Sequence, residues 1–462
     1  MCMKKRRWIA AAFLCGLTLA GCGGGEGPVP QAGSQAAQTE ADSSGKVTIS
    51  VWTTNRHDQE YMTEQVNKFN EENDHIQIDY QVYSENYGQM LDLAFSTDSA
   101  PEVYQINNFA QEYEKGYMMD LSSYITEEYK ERFDEGSFFE GVNMYDGKIY
   151  SLPYTASAAR LFYNQDIFDR VGIEHPPTTV EEMVEDAKLI TEQLGNEGIY
   201  GFAANFKSAE SCITRSVDQI VQKSGGTLWG YDFKNGVYDF TSYKPVLEGF
   251  REIFAEGYGF PGSESLDIDP LRTQFAAGKI GMYISVSHAE PGVYTSQFPT
   301  DINWDCAQLP TVNGEIEGKQ KLWFGGNNWA INANAAHPDE AWEVMEFFHS
   351  DEVMGPYYTK GLGTVMIRTA IENVEPPETI AKMPNLAINE DDQNWPPLPL
   401  NVSVEGKDYS TVCVECIFGM TDIDEAIEDL NTRYNAAYDK SIENGEERII
   451  YPNFDPYNMN LD

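Results

Sequence analysis

Val47-Thr-Ile-Ser-Val-Trp52, Ile76-Gln-Ile-Asp-Tyr-Gln-Val82 and Val103-Tyr-Gln-Ile106 decide the fold. The first run is short and β-branched, which suits a buried strand. In the second, Ile76, Ile78, Tyr80 and Val82 alternate, and the third is again a compact apolar run. Met62, Val66 and Phe69 recur at helical spacing between the first two, ending at the polar break 70–74. A second helical stretch at 89–95 leads through Ser99-Ala-Pro101 into the third run. Strand, helix, strand, helix, strand at this spacing predicts a parallel sheet covered by helices.

The α/β pattern persists downstream. Thr179 can cap a helix with Glu182 three residues on, and Val180, Met183, Val184, Ala187 and Leu194 form its apolar face. Pro338 opens another, with Ala341, Trp342, Met345 and Phe348 inward, and Ile427, Leu430, Tyr434 and Ala437 mark a late one. No internal repeat and no clean linker interrupts the pattern. The chain is therefore expected to cross between lobes several times.

The 462 residues suit two or three lobes, and 23 Phe with 27 Tyr can fill sizeable cores. Lys and Arg number 31 against 74 Asp and Glu, a formal charge of −43. That balance argues against nucleic-acid binding, which needs basic side chains on phosphates. It also disfavours docking on anionic lipid and makes a highly anionic ligand unexpected. After the N-terminus no apolar run approaches the ~18 residues of a membrane-spanning helix.

Residues 1–22 read as an export signal: Lys4, Lys5, Arg6 and Arg7, then an apolar run from Trp8 to Leu19. Leu19-Ala-Gly-Cys22 looks like a bacterial lipobox, which implies lipidation of Cys22 and cleavage before it. Residues 23–45, rich in Gly, Ser, Gln, Ala and Pro, form the expected tether. Four cysteines remain beyond it, and Cys413-x-x-Cys416 sits in an apolar stretch without a second metal-binding pair, favouring packing.

Chemical motifs are sparse. Gly257-Tyr-Gly259-Phe-Pro-Gly262 has the letters of a dinucleotide fingerprint but follows a helix-like run and contains Pro261, so it reads as a turn. Six histidines are scattered without ligand spacing, and Asn389-Glu-Asp-Asp-Gln-Asn394 lacks the glycine and final glutamate of an EF-hand, so it reads as a solvated acidic loop. No catalytic residue, metal site or cofactor is nominated.

Three further blocks accompany Asp146-Gly-Lys-Ile-Tyr-Ser-Leu-Pro-Tyr154, Leu161-Phe-Tyr-Asn-Gln-Asp-Ile-Phe168 and Pro176-Pro177-Thr-Thr-Val-Glu-Glu182. They are Ser99-Ala-Pro-Glu-Val103, Phe275-Ala-Ala-Gly-Lys-Ile-Gly-Met282, and Gly325-Gly326 to Trp329-Ala-Ile331 with Pro338-Asp-Glu-Ala-Trp342. Together they resemble, over about 46–440, the family 1 extracellular solute-binding proteins related to maltose-binding protein. The resemblance implies a type II periplasmic-binding-protein fold, with two α/β lobes around a hinged cleft. Lobe 1 is expected at 46–155 and 282–322, lobe 2 at 156–281 and 323–445, with 446–462 as an extension. It implies a monomeric, non-enzymatic receptor, lipid-anchored on the outer face of the cytoplasmic membrane. Such a receptor delivers a carbohydrate, an oligosaccharide by expectation, to ABC permease subunits. Ser285-Val-Ser-His288 departs from the Gly and Trp of many relatives.

A receptor for a neutral polyol needs fixed polar groups and rings that cover the apolar sugar faces. Loops at the carboxyl ends of parallel strands are the places to look. They offer Trp52, Asn55, Arg56 and His57 after the first strand, and Asn107 and Asn108 after the third. Tyr154 and Ser157 flank the first crossover, and Arg215 and Asp218 precede Gly225-Gly226. Ser287, His288, Trp323 and Asn327 are expected at the other crossovers, and Trp395 in a late loop. Alternatives keep the fold but bind iron through Tyr357-Tyr358 or a polyamine through carboxylates; another is an anchored glycoside hydrolase.

Overall fold

Two sheets organise the chain. In the first, Ile76–Val82, Val47–Thr53 and Val103–Gln105 run parallel, and Asn328–Ile331 and Leu152–Pro153 complete the order by antiparallel pairing. In the second, Trp304–Ala307, Ala159–Asn164, Ile280–Val286 and Tyr200–Ala203 lie side by side; only the last pair is parallel. The computed structural model describes residues 45–83, 86–133, 137–322, 328–399 and 401–459. The export signal, Cys22 and nearly all of the tether lie outside them.

Alternation along the strands gives each sheet two apolar faces. In the first lobe, Ile49, Val51, Val103 and Trp329 pack on the helices Gln59–Glu72 and Pro338–Phe348, while Tyr104 and Ala330 face Leu91 and Phe109. In the second, Leu161, Met282 and Ile284 face the helices Val180–Leu194 and Lys244–Ala255, while Phe162 and Tyr283 face Leu271 and Phe275. Thr179 caps the Val180–Leu194 helix by accepting from Glu182 N at 3.0 Å. This helix lies so close to its sheet that a β-carbon at Gly201 would sit 2.1 Å from the Ala187 carbonyl oxygen.

The expected lobe boundaries need correcting. Ile280–Val286 and Trp304–Ala307 both pair with Ala159–Asn164, so 282–307 belongs to the second lobe rather than the first. Conversely, Asn328–Ile331 inserts between Val103–Gln105 and Leu152–Pro153, and Pro338–Phe348 packs in the first lobe. Residues 409–459 join the second lobe's core, where Phe454 packs, its ring tilted, against Phe233 and Trp395. The 446–462 extension is thus part of the lobe through its described residues. Gly257 and Gly262 adopt φ of 83° and 84° in a turn after Lys244–Ala255. Cys413 and Cys416 are free and buried. Among the described residues no helix is long and apolar enough to cross a membrane.

Candidate functional site

The loop after Val47–Thr53 is held by one buried amide. Gln105 Oε1 accepts from Thr53 Oγ1 at 2.7 Å and from Thr54 N at 2.9 Å, while Thr53 Oγ1 accepts from Asn55 N at 3.1 Å. Gln105 Nε2 donates to Asn55 Oδ1 at 3.3 Å. Below the loop, Asp58 Oδ2 accepts from the Tyr357 hydroxyl at 2.8 Å and from Asn55 Nδ2 at 3.4 Å. These bonds fix residues 54–57 before any ligand arrives, so little ordering cost falls on binding.

Facing this loop across the lobes are the helices Ala209–Arg215 and Ile268–Ala276 and the end of Ile280–Val286. The cleft between them measures about 340 Å³ and is lined by Thr54, Asn55, Arg56, His57 and Ser157 from one side. Ser211, Thr214, Arg215, Arg272, His288 and Gln297 are the polar groups of the other. That size is at the lower end of small-molecule sites.

Charge in the cleft inverts that of the chain. Among the described residues, three guanidinium groups line it and no carboxylate does. Arg56 Nη1 reaches Asp269 Oδ2 of the other lobe at 2.5 Å, beside Arg272 Nη1 at 3.2 Å from Asp269 Oδ1. Arg272 also forks onto the fully buried Glu290, with Nη2 at 2.7 Å, and the Ser285 hydroxyl donates to the same carboxylate. Burial opposes the Arg272 charge, but Glu290 holds its pKa above the ordinary value. Among the described residues Arg215 bonds Ser211 of its own helix alone, through Nε to the carbonyl at 2.7 Å and through Nη2 to the hydroxyl. Burial, with Arg272 nearby, draws its pKa down.

Two histidines meet across the lobes, their ring centroids 5.5 Å apart. His288 Nδ1 lies 2.7 Å from Ser157 Oγ. Burial lowers both pKa values; Asp58 partly offsets this at His57, whereas His57 adds to it at His288.

Six expected residues therefore share the cleft: Asn55, Arg56, His57, Ser157, Arg215 and His288. Others are placed elsewhere. Tyr154 is fully buried in the first lobe between Trp329, His349 and Tyr357. Asp218 is buried under Tyr243 and Tyr409, whose hydroxyls donate to it; burial raises its pKa to about 7 against their opposing effect. Trp395 is 1% exposed and donates Nε1 to the Lys319 carbonyl. Ser287 is buried, and its hydroxyl accepts from Ala158 N. Ser287 and His288 do not flank a crossover, because the chain continues within the second sheet.

Trp52 packs on Tyr83, and Asn107 and Asn108 sit where the chain enters a short helix, with Asn108 capping it through Gln111 N. Trp323 and Asn327 lie outside the described residues. The acidic loop is not simply solvated: Asp392 is buried on Arg160 and Asp391 pairs with Lys319. Tyr357 is committed to Asp58 in the interior, with Tyr358 packed on the same cluster. Among the described residues no group of three His, Cys, Asp or Glu side chains converges as a metal site.

Sequence reasoning missed Thr54, Ser211, Thr214, Arg272 and Gln297. Ser211 and Thr214 share a helix face with Arg215 by their spacing, a signal that extending from Arg215 would have found. Arg272 and Gln297 carry no such signal. No Phe, Tyr or Trp lines the cleft among the described residues. The rings of the described lining are the two imidazoles.

Residues 53–355 match the family of bacterial extracellular solute-binding proteins. A binding protein of Brucella abortus is 27% identical over 51% of this chain, which spans about half (54%) of that relative's length. The diacetylchitobiose binding protein DasA of Streptomyces coelicolor is 23% identical, covering 80% of this chain and 84% of its own. The sn-glycerol-3-phosphate-binding periplasmic protein UgpB of Brucella abortus is 30% identical over 62% and 67%. Among solved structures, RafE in complex with raffinose superposes with a TM-score of 0.68 at 20% identity, over 85% of this chain and all of that one. RafE is from Streptococcus pneumoniae.

Proposed function

This chain belongs to the bacterial extracellular solute-binding proteins, and from that premise we propose that it captures a carbohydrate and hands it to an ABC permease. The observation that carries the reading is the cleft itself, with hydroxyl, amide and guanidinium groups drawn from both lobes. Such a surface replaces the water around a polyol with fixed donors and acceptors, and hinge motion between two lobes supplies capture and release. DasA, matched over most of both chains, is named for a disaccharide. The protein acts by binding, without turnover. Export by residues 1–21 and lipidation of Cys22 hold it at the outer face of the membrane as a monomer. A polyamine fits poorly, because in the described lining it would meet three guanidinium groups and no carboxylate.

The test is a panel of mono- and oligosaccharides scored by thermal shift and binding heat. A ligand of the folded state alone adds RT ln(1 + [L]/Kd), about 2.7 kcal/mol at a hundredfold excess over Kd. A panel that yields neither a shift nor heat would overturn the proposal.

A further inference from the structure

Arg215 is the one guanidinium of the cleft without a carboxylate among the described residues. Arginine presents five N–H donors, and two of those of Arg215 are taken, both by Ser211 one turn back. The other three have no partner among the described residues, and Arg215 lines the cleft together with Thr214. The other two cleft arginines differ. Arg56 and Arg272 are neutralised by Asp269 and Glu290, and the Gln297 amide also donates to Asp269, at 3.3 Å. Asp58, below the loop, is held by Tyr357 and Asn55 in the first lobe.

Arg215 is half-buried, and a charge drawn partly out of water without a paired carboxylate is costly. Among the described residues no carboxylate lies within ion-pair reach of it, and Glu290, which acts on it at longer range, is already bonded to Arg272. The described lining of the cleft holds no aromatic platform and offers polar and ionic bonds.

We infer that the ligand is a saccharide bearing a negative group, a uronate carboxylate or a phosphate monoester, which the free side of Arg215 receives as a planar fork. The inference rests on the saccharide reading above and narrows it. Guanidinium suits both anions because its parallel N–H groups match two oxygens, and such charge-assisted bonds are shorter and stronger than neutral ones. The Thr214 and Ser157 hydroxyls and the Asn55 amide, each already held by a protein partner, line the rest of the cleft and keep spare hydrogen-bonding capacity for the sugar's hydroxyls. The overall charge of −43 does not oppose this, because a local cluster of one sign inside low-dielectric walls focuses its own field.

The experiment measures binding heats for matched pairs: glucuronate, galacturonate and mannuronate and their trimers, each against the neutral hexose of the same configuration and length. Hexose 6-phosphates run beside the hexoses, so the two arms separate carboxylate from phosphate. At least one acidic member should bind about 10- to 100-fold tighter than its neutral counterpart. Arg215→Gln should equalise the pair while its ligand-free melting stays near wild type, and Arg215→Lys should fall between. Neutral members binding as well as or better than acidic ones would overturn the inference and leave the saccharide reading standing. No saccharide of either kind binding would overturn that reading and this inference with it. An acidic preference that survives in Arg215→Gln would remove Arg215 from the role. If Arg215→Gln fails to fold, the wild-type pairs together with Arg215→Lys still decide.

Discussion

Arg160 and Arg215 stand on the same lobe and have opposite surroundings. Arg160 is fully buried and uses all five donors: Asn385, Ala159 and Ala387 carbonyls and both oxygens of Asp392. Its partner Asp392 also accepts from Gln320 Nε2 and from Asn389 N. This pair straps residues 385–392, on the way back into the second lobe, onto the strand Ala159–Asn164. Arg215 uses two donors, both within its own helix. Saturated donors mark an arginine that holds the fold, and spare donors facing a cleft mark one that awaits a guest.

The largest effect expected from this contrast is on stability. Arg160→Met leaves Asp392 buried without its cation and should cost about 3–5 kcal/mol, measured by denaturant unfolding without ligand. Combining it with Asp392→Leu should recover much of the loss, since the uncompensated charge is then gone. Arg215→Met should shift ligand-free stability by less than about 1 kcal/mol. Equal losses at the two sites would break the contrast.

Desolvation without a counter-charge also acts on His349, fully buried in the first lobe with Nδ1 donating to the Met345 carbonyl at 2.8 Å. Burial lowers its pKa to about 4, and the unfolded value is near 6.5. The folded protein keeps the ring neutral while the unfolded chain takes a proton below pH ~6.5. Stability therefore falls as pH drops from ~6.5 towards 4, by about 1.4 kcal/mol per unit at most, and the effect is absent above pH ~7. His349→Gln should flatten that part of the stability–pH curve relative to wild type. An unchanged slope would show that His349 takes its proton while folded.

What could be read in advance, and what could not, follows the same line between local and distant information. Alternation at Ile76–Val82 and the Thr179 cap are local patterns, and both elements form as their residues dictate. The loop 54–57 was legible because a strand end in such a fold opens onto the cleft. Which sheet receives Ile280–Val286 or Asn328–Ile331 depends on pairing with strands more than a hundred residues away, and no local pattern records it. The side toward which a ring turns is equally silent. Trp395 stands in a polar, proline-rich loop yet fills the core against Phe233 and Phe454. The spare donors of Arg215 appear only once its neighbours are known.

A smaller effect is expected where the lobes touch. Arg56 and Asp269 form an ion pair across the cleft, with side chains 35% and 22% exposed. Pairs this accessible contribute about 0.2–1 kcal/mol and are screened by salt. Asp269→Asn should therefore leave ligand-free melting nearly unchanged but favour separated lobes, seen as a larger radius of gyration in solution scattering. Raising salt should expand wild type in the same direction and leave the variant alone. A variant as compact as wild type at low salt would mean that other contacts hold the lobes together.

The smallest effect is a null on binding at Tyr154, beside the first crossover. Its ring contacts Trp329, His349 and Tyr357 at centroid separations of 5.5–5.7 Å, and its hydroxyl donates to Met62 Sδ at 3.3 Å. A thioether is a weak acceptor, so Tyr154→Phe should cost less than about 1 kcal/mol of stability. Tyr154→Leu removes the ring and should destabilise by more, as large-to-small core changes do. Neither should alter affinity for a bound saccharide more than about twofold once the folded fraction is accounted for. The opposite pattern, a Tyr154→Leu protein that melts as wild type but has lost its ligand, would turn the ring into the cleft. It would also supply the aromatic platform that the cleft's described lining lacks, and so weaken the case for ionic capture at Arg215.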